Sequence, residues 1–310
     1  MTKDSQTVTD WNTLLQAVRL ADPRMLGRAI SLVENEVYGY RSLLEALPAR
    51  DHPPGIIGIT GPPGAGKSTL TDALIGGFVA QAKKVAVVCV DPSSPFHRGA
   101  VLGDRIRMSD WYNHPSVFIR SLATRGALGG LHPKIIEVTD LLGAAGFDMI
   151  IVETVGVGQS EVEIASLADT TVVVLVPEAG DEIQSMKAGL MEIADVFVVN
   201  KADRPDADRF VTQLRAVVTH GENGELLHIP IVKTIATEKQ GITELALLIN
   251  QSLQAAQGQE KKMVLLLERA YQLILSKKTK QISREDLARK LRTEATAADF
   301  NLYRFVAGYD

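Results

Sequence analysis

A glycine-rich stretch behind a short apolar run constrains the fold more than any other feature of the chain. The stretch GPPGAGKST (Gly61 to Thr69) follows IIGIT (Ile56 to Thr60), and the helical sequence STLTDALI begins at Ser68. The pattern GxxxxGKS between a strand and a helix is typical of a loop that binds phosphate groups. Its glycines let successive backbone N–H groups turn toward phosphate oxygens, and the helix N-terminus adds the positive end of its dipole.

The residue types of this loop also indicate what individual side chains do. The Lys67 ammonium can reach the β- and γ-phosphates, and the Ser68 hydroxyl can ligate Mg²⁺. The alternative, a tight strand-to-helix turn with a chance lysine, is disfavoured because the whole motif stands in the right context. The loop residues that we assign to nucleotide binding are Gly61, Pro62, Pro63, Gly64, Ala65, Gly66, Lys67, Ser68 and Thr69.

Short apolar runs alternate with amphipathic stretches through the middle of the chain. Most runs are rich in Val and Ile and apolar on both faces, as in a parallel sheet covered by helices. They begin at Ile56, Val85, Val117, Met149, Thr171, Val196 and Ile229. This pattern predicts an α/β fold of the P-loop NTPase type, with a doubly wound, mostly parallel sheet flanked by helices.

The two ends of the chain predict helical additions to this sheet. We expect a helical N-terminal arm over residues 1–50, a nucleotide-binding domain over 51–257 and a C-terminal helical extension over 258–310. The stretch MVLLLERAYQLIL (Met263 to Leu275) is apolar on most sides, so a helix there should be largely buried. We expect a second copy of the chain to cover it, as in a homodimer; packing on its own domain is the alternative.

Composition excludes several classes of function. The formal net charge of −4 argues against a generally basic face for nucleic acid. No run approaches the roughly 18 apolar residues that span a bilayer, and the polar start lacks the apolar core of a secretion signal. The single cysteine, Cys89, cannot form an internal disulfide. We expect a soluble protein of the cytoplasm, or of an organelle matrix, with no membrane partner.

Acidic residues at strand ends are candidates for holding the metal of a magnesium nucleotide. Asp91 follows VAVVCV and Glu153 follows MIIV, and an acid at the carboxyl end of a buried strand can hold a metal-bound water. Asp91 could instead cap a turn before Pro92. Asp104 is a third candidate, with a solvated helix start as its alternative. Gly156 can bring a backbone N–H near the γ-phosphate.

The sequence NKAD after the run VFVVN predicts the base. The Asp203 carboxylate only accepts hydrogen bonds, and guanine offers it N1–H and the exocyclic amine. Adenine would leave this carboxylate unpaired. The Lys201 stem can lie along the base, and Asn200 can tie the loop to the phosphate loop. A turn led by Asn200 with solvated charges is the alternative, so GTP and GDP with Mg²⁺ are the predicted ligands.

Taken together, the motifs GPPGAGKST, DPSSPF, ETVGVGQSE and NKAD resemble the MeaB/ArgK family of P-loop GTPases. The stretches SLATRGALGG (Ser121 to Gly130) and PEAGDEIQSMKAG (Pro177 to Gly189) support the resemblance, which covers roughly residues 50 to 250. Members of this family are chaperones of adenosylcobalamin-dependent methylmalonyl-CoA mutase. The resemblance implies a homodimer with slow GTPase activity that binds the mutase, gates adenosylcobalamin loading and helps remove inactivated cofactor.

The same resemblance carries roles onto single residues. It implies that Asp91, Asp104 and Glu153 form the acidic set around the metal or the attacking water. It further implies that residues 178–187 couple the partner to hydrolysis, with Asp181, Gln184 and Lys187 at the polar positions. From its residues alone, that segment predicts only a strand end followed by a helix with a cap.

One motif departs from the family pattern, and the residue that stabilises charge on the γ-phosphate is not assigned. The last guanine-contacting loop usually contains Ser-Ala, whereas this chain has Thr234, Ile235 and Ala236. The contact to guanine O6 there is a backbone N–H, so the substitution is compatible with it. No arginine stands out as a stabiliser of charge on the γ-phosphate, and the candidates are Arg98, Arg105, Arg107, Arg120 and Arg125.

Two other functions compete with the chaperone reading. A GTPase that delivers a metal such as nickel would need convergent Cys or His ligands, but the histidines are scattered along the sequence. A nucleotide-dependent kinase or ATPase for basic amino-acid transport, a label long attached to this family, would use ATP, which NKAD disfavours.

Overall fold

The computed structural model describes residues 10–48, 52–91, 108–123, 131–154, 160–180, 189–218, 229–256, 258–279, 282–295 and 302–309. The chain divides into two compact units, Met1–Leu265 and Leu266–Asp310. The division into an arm, a nucleotide domain and an extension at residues 50 and 257 stays a prediction.

A parallel sheet of seven strands in the order β3-β2-β4-β1-β5-β6-β7 forms the centre of the first unit. The strands are β1 (Gly55–Thr60), β2 (Val85–Asp91), β3 (Val117–Ala123), β4 (Met149–Glu153), β5 (Thr170–Leu175), β6 (Val196–Asn200) and β7 (Ile231–Thr234). Each predicted apolar run overlaps one of them, so the predicted α/β fold is confirmed. The order reverses beside β1, which places the glycine-rich loop at a switch point of the sheet, where α/β folds bind ligands.

Helices cover both faces of this sheet. In the first unit they are α1 (Trp11–Arg19), α2 (Pro23–Glu34), α3 (Tyr40–Glu45), α4 (Lys67–Ala80), α5 (Ile135–Ala144), α6 (Ser160–Leu167), α7 (Leu190–Ile193), α8 (Ala207–Val218) and α9 (Ile242–Ala256). Successive residues of a strand point to opposite faces. Ile56 accordingly packs in the core cluster under α1, α2 and α5, whereas Ile57 packs in the cluster under α4 and α9.

The predicted N-terminal arm is helical over α1, α2 and α3. Asp10 caps α1 by accepting hydrogen bonds from the backbone N–H groups of Asn12 and Thr13. Asp22 caps α2 in the same way, and Pro23 occupies the first helical position, where its missing N–H is not needed. The arm buries its apolar side chains, Leu26 and Ile30 among them, in the same core cluster as α5.

A partly buried ionic cluster joins the arm to the sheet and to α5. The Arg120 guanidinium on β3 donates to Glu34 at 2.5 Å and to Ser31 at 2.9 Å, both on α2. The Lys134 ammonium lies 2.8 Å from Glu36 and 2.9 Å from Glu137. Arg120 is thus held against the arm, which removes it from the candidates for a charge stabiliser. The other four candidate arginines lie outside the described residues.

The remaining helices are α10 (Gln259–Thr279), α11 (Arg284–Glu294) and α12 (Leu302–Val306). The expectation that α10 is largely buried is not met among the residues that the structure describes. Most of its large apolar side chains are exposed, namely Met263, Val264, Leu266, Leu267, Tyr271, Leu273, Ile274 and Leu275. In the part of the chain that the structure describes, no helix is both long enough and apolar enough to span a bilayer.

Candidate nucleotide-binding site

The glycine-rich loop joins β1 to α4 through three glycines with left-handed backbone. The φ angles of Gly61, Gly64 and Gly66 are 135°, 77° and 88°. A Cβ on Gly61 would lie 2.1 Å from the Val174 carbonyl oxygen, and one on Gly66 would lie 2.4 Å from Asn200 Nδ2. No L side chain fits these two positions without a shift of the neighbours. The loop conformation therefore depends on glycine at both ends.

The start of α4 presents donors to this loop. The N-cap is Gly66, which has no side chain to cap the helix, and the first helical residue is Lys67. The N–H groups of the first turn have no acceptor within the helix and carry the positive end of its dipole. Lys67 Nζ donates to the carbonyl oxygens of Gly61 at 2.8 Å and Pro62 at 3.1 Å, so its ammonium lies against the loop. The arrangement suits a phosphate chain.

A buried carboxylate at the end of β4 contacts α4 through two hydroxyls. Ser68 Oγ donates to Glu153 Oε1 at 2.6 Å, and Thr71 Oγ1 lies 2.9 Å from Glu153 Oε2. Glu153 is 4% exposed. Hydroxyl and carboxylate oxygens are the donors that Mg²⁺ prefers, so the chemistry of Ser68 and Glu153 fits the predicted metal. The structure brings these two predicted ligands together although 85 positions separate them.

The other predicted metal and phosphate residues can be placed only in part. Asp91 is the last residue of β2, pairs in register with Ala123 and lies at the carboxyl edge next to β4, but its side chain is not among those described. Asp104 and Gly156 lie outside the described residues, as do Asp181, Gln184 and Lys187. Within the described ranges, no cluster of three or more His, Cys, Asp or Glu side chains could hold a metal ion.

The base-reading loop, as we name residues 200–203 (NKAD) for their predicted role, is attached directly to the phosphate loop, residues 61–69. Asn200 is buried at the end of β6, and its Nδ2 donates to the Ala65 carbonyl oxygen at 2.9 Å. Lys201 Nζ donates to the Gly64 carbonyl oxygen at 2.7 Å, with its own backbone at a φ of 56°. The Lys201 side chain thereby runs along the loop, as a lysine that covers one face of a base would.

Asp203 lies in the exposed turn that follows. Its carboxylate makes no hydrogen bond to any other residue that the structure describes, so its acceptor oxygens can receive the edge of a base. The turn is held at Ala202, whose N–H donates to the Thr234 carbonyl oxygen at 3.1 Å. This backbone contact joins the turn that carries the carboxylate to the end of β7.

The loop after β7 contacts Asn200. Asn200 Oδ1 accepts from Thr234 Oγ1 at 3.1 Å and from the Ala236 N–H at 3.2 Å. The Ile235 N–H donates to the Gln240 carbonyl oxygen instead, and Ile235 has no hydroxyl to offer. The segment predicted to contact guanine therefore lies beside the base-reading loop, while the N–H that meets guanine O6 stays a prediction.

Two contacts of the site were not anticipated from the sequence. Thr71 contacts Glu153 from within α4, where a threonine carries no motif. Arg204 donates to Glu178, which joins the base-reading loop to the 3₁₀ turn after β5. Partial desolvation raises the pKa of the Glu178 carboxyl. The hydrogen bond from Arg204 and the positive charges of Arg204 and Lys201 lower it by more, so the pKa lies below its usual value. In the sequence, the one indication of the Arg204–Glu178 contact was that Arg204 directly follows NKAD.

The family described as "Methylmalonyl Co-A mutase-associated GTPase MeaB" matches residues 26–296 of the chain. The chain belongs to this GTPase family. A Pyrococcus abyssi protein named as a GTPase is 48% identical over 235 residues, which are 75% of this chain and 72% of that protein. The Geobacillus kaustophilus protein named fused isobutyryl-CoA mutase is 33% identical over 248 residues, which are 76% of this chain but 23% of that protein.

Solved structures share the fold of this chain. The crystal structure of a LAO/AO transport system kinase has a TM-score of 0.63 and 25% identity and covers 100% of this chain and 98% of its own. The crystal structure of HypB from Helicobacter pylori in complex with nickel has a TM-score of 0.50 and 20% identity over 74% of this chain and 97% of its own. The second likeness shows the shared fold alone. Relatives named as GTPases support the assignment of this chain as a GTP hydrolase.

Proposed function

We propose that this GTPase is a chaperone for an adenosylcobalamin-dependent acyl-CoA mutase, methylmalonyl-CoA mutase or a related enzyme. In this proposal it binds the mutase, gates the loading of adenosylcobalamin and protects or reactivates the enzyme. Its ligands are GTP and GDP with Mg²⁺, it acts as a homodimer in the cytoplasm, and neither nucleic acid nor a membrane takes part.

The observation that carries the proposal is the fused relative. A region similar to 76% of this chain makes up 23% of a protein named for isobutyryl-CoA mutase. Two domains on one polypeptide are present to each other at a high effective concentration, which favours binding between them. The family description names a mutase association as well. Both point to an acyl-CoA mutase as the protein that the GTPase cycle regulates.

The geometry supports the nucleotide part of the proposal. Lys67 and the first turn of α4 suit a phosphate chain, and Ser68 with Glu153 suits Mg²⁺. Asn200 and Lys201 join the base-reading loop to the phosphate loop, and the Asp203 carboxylate selects guanine by its acceptor oxygens. A GTPase whose charge stabiliser is supplied or ordered by a partner hydrolyses GTP slowly until that partner binds.

The homodimer part rests on α10. Its exposed apolar side chains would cost free energy in water, and association of two copies would bury them. The assignment of residues 258–310 as a dimerisation extension follows from this helix.

Nickel delivery and amino-acid transport are the competing functions. The nickel-bound HypB structure shares only the fold with this chain, and the described residues offer no convergent cluster of metal ligands. The LAO/AO transport system kinase is named for another activity. Its structural similarity to this chain is not evidence that this chain takes part in amino-acid transport.

A binding experiment tests the mutase partnership. We expect the chain loaded with a non-hydrolysable GTP analogue to bind purified methylmalonyl-CoA mutase, and GDP to change the affinity. Transfer of adenosylcobalamin to the apo-mutase should then depend on the bound nucleotide. Equal transfer with the GTP analogue, with GDP and without the GTPase would contradict the gating role.

A further inference from the structure

Two hydroxyls on one face of α4 contact the Glu153 carboxylate. Ser68 Oγ donates to Oε1 at 2.6 Å, and Thr71 Oγ1 lies 2.9 Å from Oε2. Thr71 has no exposed surface, and its hydroxyl also lies 2.9 Å from the Lys67 carbonyl oxygen. Positions three apart on a helix lie side by side, which is why both hydroxyls reach the same carboxylate.

The last torsion of a glutamate side chain is broad, so the carboxylate plane turns easily unless hydrogen bonds restrain it. Contacts to both oxygens, from Ser68 and from Thr71, restrain the plane more than a contact to one oxygen does. Oε1 then stays directed at Ser68, the predicted Mg²⁺ ligand of the phosphate loop.

We propose that Thr71 is a positioning residue that orients Glu153 and thereby strengthens Mg²⁺ binding at Ser68. The proposal rests on the GTPase activity and on the proposed Mg²⁺ ligand, and not on the mutase partner. Thr71 acts through Glu153 and is not itself expected to contact the metal or the nucleotide.

A purely structural role for Thr71 is the competing explanation. Buried helical threonines commonly donate to a carbonyl oxygen one turn earlier, and Lys67 offers such an acceptor. The chain contains a matched example of that role in α5. There the buried Thr139 donates to the Ile136 carbonyl oxygen at 2.8 Å, remote from the phosphate loop. The substitution Thr139→Val therefore measures the cost of losing a buried helical hydroxyl alone.

The experiment follows the release of a fluorescent GDP analogue from the full chain as free Mg²⁺ is titrated. Thr71→Val keeps the shape of the side chain and removes the hydroxyl. Because hydrogen bonds to charged groups are the stronger ones, we expect it to raise the half-saturating Mg²⁺ concentration about tenfold. Thr71→Ser should restore the value of the unsubstituted chain, and Thr139→Val should leave it unchanged.

Three results would overturn the proposal. The first is a folded Thr71→Val variant with the Mg²⁺ dependence of the unsubstituted chain. The second is an equal shift in Thr139→Val, and the third is GDP release that does not respond to Mg²⁺ in the unsubstituted chain. If Thr71→Val does not fold, Thr71→Ala is measured in its place with the same expected shift. No mutase enters the assay, so its outcome is independent of the proposed partnership.

Discussion

Asn200 Nδ2 donates to the Ala65 carbonyl oxygen at 2.9 Å and thereby fastens the base-reading loop to the phosphate loop. The two residues are 135 positions apart: Asn200 ends β6, and Ala65 lies in the loop behind β1. The same asparagine accepts from Thr234 and Ala236 through its other side-chain atom, so three loops meet at one side chain. A nucleotide that touches base and phosphate sites at once would find their spacing already set, which lowers the cost of binding.

The close packing of Gly66 against Asn200 leads to the first prediction. Gly66→Ala places a Cβ 2.4 Å from Asn200 Nδ2 at a φ of 88°, so we expect GDP affinity to fall about tenfold or more. Isothermal titration measures it. Gly76→Ala on the same helix is the control, because its Cβ would lie 3.5 Å from the Trp111 ring, an ordinary contact. Unchanged affinity in Gly66→Ala would contradict the described loop contact.

Base selection by Asp203 is the second prediction. Asp203→Asn replaces an acceptor oxygen with a donor, which suits xanthine, whose O2 accepts where guanine has a donating amine. We expect the ratio of GDP to XDP affinity to fall about 100-fold, since two hydrogen bonds to a charged group are affected. Competition of GDP and XDP for the same protein gives the ratio. Asp206→Asn, in the same exposed loop, should leave it unchanged, and a ratio unaffected by Asp203→Asn would place the base elsewhere.

The sequence predicted the sheet better than it predicted the contacts between distant parts of the chain. The strands could be predicted because buried parallel strands are apolar on both faces. The role of Asn200 could be predicted because NKAD stands at the end of such a strand. Thr71 was not, because its partner Glu153 is 82 positions away and a helical threonine has no signature of its own. The Glu34–Arg120 pair was missed for the same reason, so Arg120 was grouped with the candidate charge stabilisers.

The largest departure concerns α10. The sequence indicated a helix that must be buried, and apolar periodicity does not say what buries it. In the structure the side chains from Met263 to Leu275 are mostly exposed, so what would cover them is not found among the described residues.

A third prediction concerns the Lys134 cluster. Burial alone would lower the pKa of the Lys134 ammonium, but hydrogen bonds to Glu36 and Glu137 and their charges raise it above the usual lysine value. Lys134→Met leaves the buried Glu137 carboxylate and the partly exposed Glu36 carboxylate without their partner, so we expect the free energy of unfolding to fall by about 3 kcal/mol. Chemical denaturation measures it. Lys233→Met, which breaks an exposed pair with Asp208, should cost no more than about 0.5 kcal/mol.

The sign of the pH dependence follows from the raised pKa. A lysine whose pKa is higher in the folded state than in the unfolded state adds stability that is fully present below the unfolded value. The contribution of Lys134 should therefore be constant through neutral pH and decline only above the ordinary value of 10.5. Equal losses of stability in Lys134→Met and Lys233→Met at pH 7 would contradict the cluster's role.

The fourth prediction concerns association through α10. Leu267 is 68% exposed on this helix, and Leu247 is 58% exposed on α9. We expect Leu267→Glu to shift the chain from dimer to monomer, because a charge in an apolar interface is costly to bury. Sedimentation equilibrium reads out the mass directly. Leu247→Glu is the matched control and should stay dimeric; a dimer in both variants would remove α10 from the interface.

GTP turnover by the purified chain, with and without an adenosylcobalamin-dependent acyl-CoA mutase, tests the central claim most directly. ATP is assayed in parallel, and an unrelated protein of similar size replaces the mutase as control. We predict slow GTP hydrolysis that rises several-fold only with the mutase, and no hydrolysis of ATP. GTP hydrolysis that does not respond to the mutase would contradict the chaperone function while leaving a GTPase, and turnover of ATP at the rate of GTP would contradict the base assignment.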